Sequence, residues 1–372
     1  MDSNSKNSKR KYIETRLLHQ GMRIDQSIID ETGKSLILKG ALLDDFQIEY
    51  LKISGVEGIF VEDNGMTPEM AEEMITPEVA SIIEKARVED APKIKLSEDV
   101  KKHIGDGVEA MFNNPNDENI AESSANITDS LLQSITDNDA VAIDLGMLKV
   151  SDEYTFRHSV DVAALSLMIG KSLGMAHTEL RNLGISGLLH DVGKAKIPPS
   201  ILNKPGKLDD NEFALMKQHT LFGFQILKER GSFNTDIMYG VLQHHEKING
   251  RGYPLASPEK DIHKYAKIIA VADVFDALVT RRSYKDPMPK FIAIEMIMGM
   301  FQELDMQMIK HFLNTVILYP VDSIVSLSNG RYAKVIENTP GYPMRPKVVD
   351  VETGQILDLG NDYRLANIVI TT

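Results

Sequence analysis

No cysteine occurs anywhere in the 372 residues. That absence removes disulfides, thiolate nucleophiles and cysteine-held zinc or iron–sulfur centres together. Any metal must therefore sit among imidazoles and carboxylates, a donor set that suits iron, manganese, nickel or zinc. An excess of basic charge is also lacking: the formal net charge is -13, opposite in sign to the footprint of a nucleic-acid-coating protein. A local basic pocket for a small phosphate ligand is not excluded, because net charge says little about one cleft. Nor is there any apolar run near the roughly 20 residues that a helix needs to cross a bilayer. The first dozen residues, Lys6, Lys9, Arg10 and Lys11 among them, are polar and basic with no apolar stretch behind them. They do not read as a secretory signal. The expectation is a cytoplasmic protein with no DNA and no membrane among its partners.

What is present is an ordinary globular composition, 42% hydrophobic and 26% charged, long enough for two or three domains. Residues 1–11 read as a disordered basic tail. Residues 12–66 read as a small α/β regulatory module, with strand-like runs at Ser35–Leu38 and Gly58–Val61 and a helix near Asp44–Ile53. Residues 67–139 are acidic and polar, with helical spacing over Pro68–Arg87 and Ser97–Phe112. From 140 to 314 the pattern is helical almost throughout, and Asp209-Asp210 marks one helix start. Asp261–Thr280 follows the i, i+3, i+4, i+7 template. After Tyr319-Pro320 the pattern changes to alternation, in Ser323–Leu327, Tyr332–Ile336, Lys347–Val351 and Ile368–Thr371, so 315–372 read as a small β-rich tail. The predicted fold class is mainly α, a helical domain with small β-rich modules at the N- and C-terminal ends.

Five of the ten histidines fall at marked places in the helical region. His158 lies in a helical segment. His190-Asp191 follows the apolar stretch Leu183–Leu189 and leads into Val192-Gly193-Lys194. His219 is read as mid-helix in Lys217–Thr220, His244-His245 are adjacent near a helix end, and Asp273 lies in Val271–Asp276. A lone histidine is more often a satisfied core or surface group than a ligand. The joint pattern argues otherwise, because unpaired polar groups directly after buried-looking leucines would be costly. Ligands on several rigid helices can converge inside a bundle and leave coordination positions open. Two metals roughly 3.5–4 Å apart would acidify a bridging water and clamp a phosphate ester.

Together, His190-Asp191-Val192-Gly193-Lys194, His219, His244-His245-Glu246, Asn249-Gly250-Arg251-Gly252-Tyr253-Pro254 and the Asp273–Lys285 segment resemble the HD-GYP domain. This is a subgroup of the HD phosphohydrolases, and the resemblance covers about Asp152 to Leu313. It implies an HD-type helical domain that hydrolyses the bacterial second messenger cyclic di-GMP to pGpG, GMP or both, through a hydroxide bridging two divalent metals, most often iron or manganese. The implied ligands are His158, His190, Asp191, His219, His244, His245 and Asp273, with Asp191 bridging. Lys194 would sit beside the scissile phosphate, and Arg282, Lys285 and Tyr253 match the family's substrate contacts. Two positions depart from the pattern. Asn249 replaces the usual aspartate before the loop, keeping hydrogen bonding while losing charge. Where some members carry a glutamate and a third metal, this chain has Tyr154, with Glu153 one residue early and rotated about 100° away on a helix. Two metals are therefore expected. Alternative readings are a phosphodiesterase for another cyclic dinucleotide such as cyclic GMP-AMP, or a catalytically weak cyclic-dinucleotide-binding adaptor. Expected partners are the cyclic dinucleotide, a diguanylate cyclase or other signalling protein, and a second copy of the chain as a homodimer. Asp276 reads as a hydrogen-bonding partner rather than a ligand.

Overall fold

The computed structural model describes residues 9–15, 18, 22–29, 35–63, 67–94, 98–115, 117–137, 142–144, 154–280 and 287–371. The chain divides into two compact units, Met1–Asp90 with Tyr319–Thr372 in one and Ala91–Leu318 in the other. The architecture is mainly helical with small antiparallel sheets near both ends, as the patterning predicts.

The first unit opens with β1 (Lys9–Glu14), β2 (Ile28–Ile29), β3 (Ser35–Ile37), α1 (Asp45–Ile53) and β4 (Gly58–Asp63). β1 pairs antiparallel with β4, and β2 with β3, over a core that includes Ile24, Leu43, Leu51 and Ile59. Lys9–Lys11, read above as the end of a basic tail, are thus strand. Asp44 caps α1, accepting from the Gln47 amide while the Gln47 side chain returns to the Asp44 N–H. Pro68–Arg87 is two helices rather than one, α2 (Pro68–Glu73) and α3 (Pro77–Ala86). Thr76 caps the second, and Pro77 occupies its first position, where a missing N–H costs nothing.

The second unit begins with α4 (Glu98–Asn113), α5 (Ile120–Asp137) and β5 (Ile143–Asp144). Then come α6 (Tyr154–Ser172), α7 (His177–Leu189), α8 (Pro199–Leu202), α9 (Asp210–Met216), α10 (His219–Arg230), α11 (Thr235–Gln243) and α12 (Lys264–Val279). It closes with α13 (Lys290–Gly299), α14 (Met306–Thr315) and β6 (Val316–Ile317), which pairs parallel with β5. The residues grouped above as 67–139 therefore divide, α2 and α3 in the first unit, α4 and α5 in the second. Helix α6 is buried on every side from Val162 to Ile169, apolar there except for Ser166, and is packed on α7, α12 and α14. Burying a helix on every side holds its residues to fixed positions. His158, one turn from its start, inherits that rigidity.

The first unit is completed by β7 (Ile324–Ser326), β8 (Tyr332–Glu337), β9 (Lys347–Asp350) and β10 (Ile356–Asp358), an antiparallel sheet in the order β10-β9-β8-β7. Val79 and Ile83 of α3 pack on Ile336 and Val349 of this sheet. Ile368–Thr371 forms an isolated bridge, Leu327 to Ile370, rather than a strand. Among the described residues, no helix is long and apolar enough to cross a membrane.

Candidate metal centre

Three helix ends and two helix interiors meet in the second unit. Helix α7 ends at Leu189 and His190 follows as its C-cap. The chain then tightens into a 3₁₀ turn, Val192–Lys196. In such a turn residues three apart lie above one another, and Lys194 Nζ accordingly stands 2.5 Å from Asp191 Oδ2. Gly193 is required here. A Cβ would lie 1.9 Å from the His219 carbonyl oxygen and 2.4 Å from the Gly223 nitrogen, so only glycine lets this turn approach α10. His219 is the first residue of α10, not mid-helix as the sequence pattern suggested, because α9 stops at Met216 and the chain turns before restarting. His244 caps the C-terminus of α11. Buried Gln243 ties that end to the start of α12, donating to the Asp261 carbonyl and accepting from the His263 N–H. Asp273 lies within α12.

These elements bring the seven expected residues together in two groups, His158, His190 and Asp273 in one, Asp191, His219, His244 and His245 in the other. Asp191 faces both. Its Oδ2 lies 3.4 Å from His190 Nε2 and 3.7 Å from His158 Nε2, while Oδ1 lies 3.3 Å from His219 Nε2. Asp273 Oδ1 is 3.2 Å from His158 Nε2.

The tautomers are set by the surroundings. His190, His219 and His244 each place Nδ1 within 2.7–2.8 Å of the carbonyl three residues earlier, at Gly187, Met216 and Val241. A carbonyl can only accept, so each Nδ1 carries the proton and each Nε2 offers a lone pair inward. Yet His219 and His244 face each other, lone pair to lone pair, through Nε2 at 3.3 Å. Asp191 Oδ1 is buried and has no hydrogen-bond partner. Facing lone pairs and an orphaned carboxylate oxygen are unfavourable in a protein interior. A cation between them removes both penalties, and the donor set fits a divalent transition metal.

The electrostatics agree. Burial pushes His244 well down, with the neighbouring imidazoles adding to the effect, and burial likewise lowers His219 and takes His245 down to about 3. Burial opposes ionisation of Asp191, but Lys194 and His190 hold it well below the usual carboxylate range. Asp273 is likewise depressed, against burial, by His158 and His245. Neutral imidazoles and ionised carboxylates are the states that bind metal. His158 is the exception. Burial disfavours its charge, but hydrogen bonds to Asp273 and Asp276 raise it to about 10.

The Gly-Tyr-Pro loop borders this centre. Tyr253 packs on His245 with ring centroids 4.7 Å apart, and its N–H donates to the His245 carbonyl. Burial beside Asp273 and Asp191 pushes its phenol upward, leaving it a neutral donor. Buried Glu246 braces the loop by accepting from the Leu255 and Ser257 amides at 2.7 and 3.0 Å. A Cβ on Gly252 would meet backbone atoms at 2.3–2.6 Å. Asn249 Oδ1 accepts the Arg251 N–H at 3.0 Å, a turn contact that an amide makes without needing charge. Arg282, Lys285 and Glu153 lie outside the described residues, as does the Tyr154 side chain. The structure adds Gln243 and Glu246 as supports, and it gives Asp276, read above as a hydrogen-bonding partner, its partner in His158.

Residues 142–308 match the family model of the HD domain. The chain is 35% identical over 224 residues to Cyclic di-GMP phosphodiesterase PA4108 of Pseudomonas aeruginosa, covering 60% of this chain and 54% of that protein. It is 41% identical over 163 residues to a cyclic di-GMP phosphodiesterase of Thermotoga maritima, covering 42% and 44% respectively. With 3'3'-cGAMP-specific phosphodiesterase 2 of Vibrio cholerae it shares 42% over 134 residues, 36% of this chain and 26% of that one. The chain thus matches about half or less of the length of these relatives. A solved structure, Bd1817, a HDG"Y"P protein from Bdellovibrio bacteriovorus, aligns with a TM-score of 0.43 and 21% identity. That alignment covers 82% of this chain and 98% of that one.

Proposed function

Because residues 142–308 belong to the HD domain family and carry the Gly252-Tyr253-Pro254 loop of its HD-GYP branch, we propose that this unit hydrolyses a phosphodiester bond of a cyclic dinucleotide. Cyclic di-GMP is the favoured substrate, since that is the activity named for the relatives that match over the longest segments. The observation that carries the reading is the pairing of inward-facing imidazole nitrogens around the unpartnered Asp191 Oδ1.

In this reading His158, His190 and Asp273 would hold one divalent cation and His219, His244 and His245 a second, with Asp191 shared between the two groups. Iron or manganese suits the nitrogen and oxygen donors. When bound, such a pair supplies Lewis acidity, which sharpens the acidity of water and offsets charge developing on phosphate. The chain does the rest. The backbone carbonyls behind His190, His219 and His244 keep their Nε2 atoms unprotonated and aimed inward. Lys194, held at Asp191, presents an ammonium to the phosphate, offsetting its charge and giving a proton to the departing 3′ oxygen. Tyr253 walls the centre beside His245 and donates its phenolic proton to a substrate oxygen. Arg282 and Lys285 are proposed as further phosphate or guanine contacts, a role the guanidinium fork suits.

Hydrolysis of 3′3′-cyclic GMP-AMP is the second reading, favoured by the Vibrio cholerae relatives of that specificity. The test is chromatography of products after protein loaded anaerobically with iron or manganese meets each dinucleotide. Linear pGpG or GMP from cyclic di-GMP supports the first reading, and preferential loss of cyclic GMP-AMP selects the second. Tight binding of either nucleotide with no product under any metal would leave an adaptor.

A further inference from the structure

The imidazoles of the cage are not backed alike. His190, His219 and His244 lean on neutral backbone carbonyls that lie three residues earlier in their own chain segment. His158 does not. Its Nδ1–H donates at 2.6 Å to Asp276 Oδ2, a carboxylate brought from α12. Asp276 is buried, and its second oxygen accepts the Thr280 hydroxyl at 3.0 Å, so the carboxylate is held from both sides. From this asymmetry, and resting on the metal-cage reading above, we propose that Asp276 is a positioning residue that makes the His158–His190–Asp273 half the tighter of two unequal cation positions, filled first and emptied last.

A carboxylate behind a ligating imidazole fixes its tautomer and orientation and raises its basicity, whereas a carbonyl fixes the tautomer with less charge. Charge bookkeeping points the same way. Asp191 is shared, and Lys194 stands against it at 2.5 Å. Beyond that shared pair, the first half has Asp273 as donor and Asp276 behind His158. The other half has three neutral imidazoles and no further carboxylate within its group. Exposure differs as well. His158 and His190 are nearly fully buried, whereas the His245 side chain is 27% exposed, and its Nδ1 lies 3.7 Å from Asp273 Oδ2, beyond hydrogen-bond reach.

The experiment titrates full-length, metal-free protein with Co²⁺ alone, followed by calorimetry and by the cobalt visible spectrum. Wild type is expected to bind two equivalents in two resolved steps. Asp276→Asn keeps an acceptor for His158 while removing the charge. It should weaken the first step about 10- to 100-fold, change the spectrum of the first equivalent, and leave the second step within about twofold. Thr280→Val, which touches the cage only through Asp276, should give a smaller weakening of the same step, and it carries the test if Asp276→Asn does not fold. Two equal equivalents in wild type would overturn the proposal, as would equal weakening of both steps in the variants. Wild type that binds no cobalt would instead remove the cage reading itself.

Discussion

Two regions of this molecule bury charge, and they do so in opposite ways. In the C-terminal sheet Asp350 is fully buried, but every demand of its carboxylate is met. Arg331 donates at 2.9 Å, and the backbone amides of Glu352 and Thr353 donate at 3.1 and 2.9 Å. Nearby, the Arg345 guanidinium donates to the carbonyls of Leu359, Ile368 and Leu365. In the helical unit Asp191 is almost as buried, yet one of its oxygens has no partner, and His219 and His244 beside it point lone pairs at each other. A closed network stabilises a fold. An open one keeps its hydrogen-bonding capacity for something that arrives later.

The sharpest way to break the comparison is to remove each aspartate. Asp191→Ala should reduce turnover of cyclic di-GMP to background and lower the metal content of the purified protein, read by product chromatography and elemental analysis. Its metal-free form should melt no lower than metal-free wild type, because the lost group had no full set of partners. A metal-free variant that melts well below wild type would mean that Asp191 is structural after all. Gly193→Ala comes next. Its methyl group would drive the 3₁₀ turn away from α10 and displace Asp191 and Lys194 relative to His219. A shift near 1 Å costs about 100-fold in rate, measured as kcat at saturating substrate.

Asp350→Ala should leave activity within about twofold while destabilising the protein by roughly 2–4 kcal/mol, since it strips partners from Arg331 and two amides. Calorimetric unfolding reads this. The smallest effect concerns pH. Burial alone would raise Asp350, but hydrogen bonds from Thr353 and the Arg331 guanidinium hold it below its usual value. The unfolded chain therefore takes up this proton first on acidification. The stabilisation is whole above the unfolded value of about 3.9 and is lost as pH falls through the lower folded one. The melting-temperature gap between wild type and Asp350→Asn should narrow over that window and stay constant above it.

The site was more legible than the supports that hold it. His190-Asp191, His219, His244-His245 and Asp273 stand out because polar residues follow apolar helical stretches, and all of them converge in the structure. Gln243 carries no such mark, and Asp276, though read as a hydrogen-bonding residue, does not name its partner. Each partner lies more than 15 positions away: His158 for Asp276, and the Asp261 carbonyl and His263 amide for Gln243. Pro68–Arg87 was read as continuous because its apolar spacing runs on through Thr76-Pro77, while the cap and the proline restart the helix there. His219 was misplaced for a similar reason. The stretch on either side is helical in pattern, and the break after Met216 is a turn of ordinary polar residues.

By itself, then, the order of residues determined the chemical character of the protein. It dictates oxygen and nitrogen donors without sulfur, a mainly helical unit flanked by small sheets, and the glycines that permit close approach, because these follow from residue type and local periodicity. Tertiary structure alone decided which nitrogen of each histidine faces inward, which oxygen of Asp191 is left open, and which half of the cage has a carboxylate behind it. Those properties depend on distances between segments remote in the chain, and no local pattern encodes a distance.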